Sequence, residues 1–171
     1  MDYIYIGDLV NTHGIKGEVR ILSDFKYKSS VFVKNNNLYI GRKKDKLVIN
    51  SYRKHKMFDL VTFDGINDIN DVLIYKGDKV YINRDEIKVD GYYNEDLIGL
   101  DVYGNSKYVG KVVDIVNNGI YDILVIVNGS VKNLVPNISE FILDISLENH
   151  KIDINIIEGL INEDWYINII S

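Results

Sequence analysis

Three histidines, one glycine-bounded loop and one pair of tyrosines are the residues here whose types and spacing could do chemistry. Imidazoles ligate a metal or move a proton when they converge, as two do in an HExxH helix. His13, His55 and His150 lie far apart along the chain and belong to no such spacing, so no metal is expected. Cysteine is absent, which removes thiolate ligands, disulfides and a Cys nucleophile. No GxGxxG or GxxxxGK(S/T) loop offers a phosphate cradle, and no serine stands between the glycines of a GxSxG elbow. The carboxylate pairs Asp85-Glu86 and Glu95-Asp96 occupy polar stretches and read as solvated surface. The expectation is therefore a protein with no catalytic residues and no cofactor.

Binding features are more informative. In Thr12–Arg20, THGIKGEVR, two glycines three apart bracket a loop whose backbone can approach a partner closely. His13, Lys16 and Arg20 could then hold a phosphate-bearing surface. Taken alone, the loop reads first as a tight turn between strands, which Gly14 and Gly17 permit. Further basic residues gather at Lys26, Lys28 and Lys34, at Arg42, Lys43, Lys44 and Lys46, and at Arg53, Lys54 and Lys56. Such clusters can follow a nucleic-acid backbone or merely solvate loops. Tyr92 and Tyr93 are adjacent; in extended chain they point to opposite faces, so one can be buried and the other offered to a partner. Sealing a domain junction is the alternative use for both.

The elements that must position these residues are strands. Tyr3, Tyr5 and Gly7 alternate with Ile4, Ile6 and Asp8, and the runs Glu18–Asp24, Lys46–Lys54, Phe58–Asp64 and Lys79–Asn83 are rich in β-branched and aromatic residues. His55-Lys56 is the expected turn of a hairpin. One helix is predicted at Asp68–Ile74, capped by Asp68, with Ile69, Val72 and Leu73 on its buried face. Residues 84–91 are charged and end in glycine, as a linker would. Beyond it, Gly99–Tyr103, Tyr108–Val116, Tyr121–Val127 and a final strand within Leu147–Ile157 are separated by Asn-Gly turn signals. Pro136 should end a strand, and Ser139–Ile142 should be a turn or short helical piece. Many short strands at even spacing predict an all-β chain of closed or nearly closed barrels. The boundaries expected are 1–88 for the first domain, 89–91 for the linker and 92–171 for the second.

Charge divides along the same line. Residues 1–88 hold 16 Lys and Arg against 12 Asp and Glu, a formal +4, whereas residues 89–171 hold 4 against 13, a formal −9. A basic half tolerates phosphate; an acidic half favours a basic protein. The first residues carry no basic and apolar leader pattern, and no uncharged run nears the roughly 18 residues that span a bilayer. A soluble, cytoplasmic protein with no membrane contact is expected.

Taken together, Gly7–Arg20, His55-Lys56, Leu60–Ile69, Tyr75–Gly77, Tyr81–Glu86, Tyr92–Gly99, Val135-Pro136 and Ile157–Leu160 resemble the ribosome maturation factor RimM family in order and spacing. The resemblance implies an N-terminal six-stranded barrel like those of translation factors and a C-terminal PRC-barrel. It implies a non-enzymatic factor that binds the immature small ribosomal subunit near its head, contacts the ribosomal protein numbered nineteen there (uS19) through the C-terminal domain, and supports head assembly and 16S rRNA processing. The family's adjacent aromatic pair falls on Tyr92 and Tyr93, and its HGIKGEVR loop on His13–Arg20. Residues 162–171 run past the usual ending, so Trp165, Ile169 and Ile170 take no role from the family.

Overall fold

The computed structural model describes residues 1–156. The Ile157–Leu160 segment and the tail 162–171 lie outside the described residues. The chain divides into two compact units, Met1–Asp90 and a second beginning at Gly91.

The first unit is a closed six-stranded barrel. Its strands are β1 (Tyr3–His13), β2 (Glu18–Leu22), β3 (Asn37–Ile40), β4 (Asp45–His55), β5 (Phe58–Phe63) and β6 (Lys79–Asn83), closing in the order β1-β2-β5-β4-β3-β6. Period-two alternation turns Ile4, Ile6, Val19, Ile21, Leu38, Ile40, Val61, Phe63, Val80 and Ile82 inward, each at most 2% exposed. In β1 the alternation breaks where the register shifts between Tyr5 and Gly7, a bulge that bends the strand around the barrel. A Cβ at Gly7 would stand 2.5 Å from the Leu22 carbonyl oxygen, so only glycine fits this close approach. The predicted Lys46–Lys54 and Phe58–Asp64 hairpin forms as β4 and β5, with His55 opposite Phe58.

Two features of this unit depart from expectation or were not foreseen. The Asp68–Ile74 segment is not an α-helix but two 3-10 turns, Ile69–Asp71 and Leu73–Tyr75. Asp68 does cap the first, accepting the Asn70 amide at 2.7 Å. Isoleucine, valine, asparagine and aspartate are weak helix formers. The segment also ties its backbone elsewhere, through Ile69 N–H to the Ile15 carbonyl at 2.9 Å and Gly77 N–H to the Leu9 carbonyl at 2.8 Å. Of the predicted buried face only Val72 is enclosed; Leu73 is 44% exposed. The second feature is Asp59, a fully enclosed carboxylate on β5. Lys28 reaches it at 2.8 Å from the single helical turn Lys28–Val31, Lys54 lies at 3.6 Å, and the Tyr52 hydroxyl donates at 2.7 Å. A buried charge persists only with such partners, so this group clamps the turn onto the β4–β5 hairpin.

The second unit is one six-stranded sheet of β7 (Asp101–Gly104), β8 (Lys107–Asn117), β9 (Asp122–Asn128), β10 (Val131–Pro136), β11 (Ile142–Ser146) and β12 (Lys151–Ile154), in the order β10-β9-β8-β7-β12-β11. Residues from both margins, Val135 of β10 and Ile142 and Ile145 of β11, pack on one cluster with Leu97, Val102, Val112, Leu124, Ile126 and Ile152. A sheet whose outermost strands meet the same core must curl around it, as a PRC-barrel does. Asn105 and Ser106 both take positive φ between β7 and β8, the hairpin turn whose twist matches its strands. Pro136 ends β10 as expected. The Ile142–Ser146 strand was not expected from the residues, and Ser139–Phe141 is a turn.

Candidate functional site

On the outer face of the first barrel, strand pairing gathers residues that are distant in sequence. Glu18 and Arg20 point outward from β2, and Arg53 and His55 from β4 on the far side of β5. His13, at the end of β1, accepts a hydrogen bond at Nδ1 from Arg20 Nε at 3.1 Å. Its ring lies 5.4 Å from that of His55, so two histidines that seemed unrelated in sequence are neighbours. Arg20 also lies over the Phe58 ring at 5.7 Å. Arg53 grips Glu18 with two bonds, of 2.8 and 3.1 Å. Partial burial first, then His13 and the cations Lys56, Arg53 and Arg20, hold the His55 imidazole below its ordinary value. Burial alone disfavours the imidazolium; the smaller share from Lys56, Arg53 and Arg20 reflects the basic groups gathered on this face, which could meet a phosphate. Among the described residues no group of three or more His, Cys, Asp or Glu could hold a metal ion.

The loop itself accounts for its glycines. Gly14 and Gly17 have φ of 73° and 95°, and a Cβ on Gly17 would meet Ile66 Cγ2 at 2.8 Å. The turn is thus fixed by backbone geometry and exposes Ile15 and Lys16. His13, Gly14, Ile15, Lys16, Glu18 and Thr62 line a shallow open depression. Of the three residues expected to meet phosphate, His13 and Arg20 are bonded together and Lys16 stands at the tip of the loop.

The hydrogen bond from Arg53 holds the Glu18 carboxyl below its ordinary value of 4.5, and nearby His13 and His55 act in the same sense. A depressed carboxylate stabilises the fold above its unfolded value, and that contribution fades as pH falls through the folded value. The first barrel should therefore lose stability below pH 4.5, and Glu18→Gln should flatten that decline. Urea unfolding followed from neutral to acid pH measures it; identical slopes in the two proteins would exclude Glu18 as the source.

In the second unit Tyr92 and Tyr93 differ in exposure. Tyr93 is 4% exposed, with its amide donating to Asp96 Oδ2 at 3.1 Å. Tyr92 is half-buried against the core cluster, and its hydroxyl accepts from Asn137 Nδ2 at 3.4 Å. Sequence reasoning missed a larger feature, an apolar strip on the outer side of β8–β9–β10. Ile123, Val125 and Val127 of β9 turn away from the core and are flanked by Leu134 and Pro136 on β10 and Val113 and Val116 on β8. Leu134 is 51% exposed, Val113 48% and Val116 43%. The visible signal was Ile123–Val127, apolar at every position where a half-solvated strand would alternate. Val125 at its centre is 7% exposed, and Lys132, Lys111 and Asp114 stand opposite Val127 and Val125. The exposed apolar area therefore lies at Leu134, Val113 and Val116 within a charged margin, a candidate interaction surface.

Comparison with known proteins agrees with both units. Residues 4–87 match the RimM N-terminal domain and residues 94–160 the RimM PRC barrel domain. The ribosome maturation factor RimM of Shouchella clausii (strain KSM-K16) is 35% identical over 167 residues, covering 92% of this chain and 96% of its own. That of Finegoldia magna (strain ATCC 29328 / DSM 20472 / WAL 2508) is 41% identical over 165 residues, covering 94% and 100%. The solution structure of the N-terminal domain of RimM from Thermus thermophilus overlaps 52% of this chain and 98% of its own, at 16% identity and a TM-score of 0.45. With both domains matched in order and relatives of this identity along nearly its whole length, the chain belongs to the RimM family.

Proposed function

We propose that the chain is a non-catalytic ribosome maturation factor of the cytoplasm, binding the immature small ribosomal subunit and assisting assembly of its head and processing of 16S rRNA. The single observation that carries this is the RimM domain pair in one chain, shared with relatives that bear the name ribosome maturation factor. Charge supports a division of labour. The −9 half carries the apolar strip and suits a basic ribosomal protein of the head, with uS19 the partner the family resemblance names. The +4 half, with His13, Lys16 and Arg20, lies towards rRNA. Opposed fields speed encounter and orient the docked protein, while desolvated apolar and aromatic contacts limit its release. Tyr92 contributes its accessible part to that contact. No helix among the described residues is long and apolar enough to cross a membrane.

Sedimentation tests the proposal. The full chain should travel with immature small subunits at low salt, bind mature subunits less, and be released as salt rises. If it stays at the top of the gradient while other assembly factors move with the particles, the proposal fails.

A further inference from the structure

The basic turn between β3 and β4 and the tyrosines beside it have no part in the surfaces described so far. Tyr3 and Tyr5 of β1, Tyr81 of β6 and Tyr39 of β3 all face out of the barrel, because their strand neighbours Ile4, Ile82, Val80, Leu38 and Ile40 fill its interior. Tyr5, Tyr81 and Tyr39 stand in register across the three strands. Ring centroids are 5.1 Å apart for Tyr3 and Tyr39, 6.5 Å for Tyr3 and Tyr81, and 6.0 Å for Tyr5 and Tyr81. Tyr39 is 4% exposed and backs the others, Tyr3 and Tyr81 are partly exposed, and Tyr5 is 45% exposed, so three rings are within reach of a ligand.

Cations accompany the rings. Lys44 Nζ lies 4.0 Å from the Tyr81 centroid and 5.6 Å from that of Tyr3, and Lys79 Nζ lies 5.3 Å from Tyr5. Lys46 pairs across the strands with Tyr39, and Arg42 and Lys43 occupy the same turn as Lys44. The acid of that turn, Asp45, is engaged by the Tyr75 hydroxyl at 3.1 Å. Two other carboxylates hold the tyrosines by their hydroxyl edges: Asp8 accepts from Tyr5 at 2.8 Å, and Glu86 accepts from Tyr39. Burial, followed by those carboxylates, pushes both phenols up to about 12, so they remain donors and the rings keep their orientation.

We infer that Tyr3, Tyr5 and Tyr81, backed by the buried Tyr39, are a stacking platform for a single-stranded RNA segment, whose phosphates are held by Lys44, Lys79 and the basic β3–β4 turn. Aromatic rings on neighbouring strands accept successive bases face to face, and flexible lysines follow the backbone. Lysines already lying over the rings can give way to bases and move onto the adjoining phosphates, keeping a charged partner throughout. A duplex is a poor ligand because its base faces are closed. The choice of RNA as the nucleic acid rests on the function proposed above; the stacking chemistry does not.

The test uses the full chain and a fluorescent oligoadenylate decamer, with anisotropy read at several salt concentrations. The wild type should bind the decamer more tightly than a duplex of equal phosphate number. Tyr5→Leu with Tyr81→Leu should weaken binding about tenfold or more, whereas Tyr5→Phe with Tyr81→Phe should stay within about twofold. Lys44→Gln should lower the dependence of log K on log salt by roughly one. Equal binding by the folded leucine variant, or a preference for the duplex, would overturn the inference. Should the leucine variant fail to fold, the duplex comparison and the salt slope decide the matter on the wild type and Lys44→Gln. Sedimentation of the same proteins with immature subunits separates the two claims. If the wild type travels and the folded leucine variant binds the decamer equally well, the platform falls and the maturation role stands. If the wild type does not travel, that role falls and the decamer titration alone judges the platform.

Discussion

Phe63→Ala is expected to destabilise the first barrel by about 3–5 kcal/mol, enough to unfold much of it at room temperature. Phe63 is the largest fully buried side chain among the described residues, 1% exposed, and it points inward from β5 opposite Ile49. A closed barrel cannot collapse onto the vacated volume without breaking a strand ladder, so the cavity term persists beside the lost burial. Equilibrium urea unfolding, followed by near-ultraviolet circular dichroism, measures the effect. A loss under about 1 kcal/mol would show that the barrel relaxes more freely than its closure implies.

The second large effect concerns binding. Leu134→Lys should weaken association with immature subunits by about one to two orders of magnitude while leaving the fold intact. Leu134 is 51% exposed on β10, so the core does not depend on it. The change removes exposed apolar area from the β10 side of the strip and sets a cation against the basic partner that the net charge of −9 in residues 89–171 favours. Leu134→Met should bind almost as the wild type does, which separates shape from charge. Unchanged affinity in the lysine variant would remove the β8–β9–β10 face from the docking surface.

Much of the architecture was legible in the residues because strands repeat every second position and their turns have a local chemistry. The Lys46–Lys54 and Phe58–Asp64 runs became a hairpin, Lys79–Asn83 a strand with those bounds, and Pro136 a strand end. Less legible was what depends on distant partners. Asn37–Ile40 is a short strand beside a run of asparagines, and it takes its place only because β4 and β6 pair with it. The Asp68–Ile74 segment has helical spacing, yet its amides are committed to the β1–β2 turn and to its own 3-10 bonds. Asp59 reads as the polar position of an alternating strand, and nothing local announces that Lys28 will enclose it.

The candidate sites follow the same rule. Glycine at positions 14 and 17 signals a turn, and positive φ is what those residues supply. That His55 would lie beside His13 was not visible, because β1 and β4 are separated by two strands in the barrel. That Tyr93 would be the more enclosed of the two adjacent tyrosines was not visible, because burial depends on partners distant in sequence. The apolar strip could have been read from Ile123–Val127; a run without alternation announces a strand that seeks cover on both sides.

The most direct test of the two-partner account is photocrosslinking on immature small subunits. Benzoylphenylalanine is placed at position 134 in one full-length protein and at position 5 in another. The crosslink from position 134 should run to a basic ribosomal protein of the head, with uS19 the expected product, and that from position 5 should run to rRNA. Attachment of position 134 to RNA, or of position 5 to protein alone, would contradict the assignment of an acidic protein-binding barrel and a basic RNA-facing one.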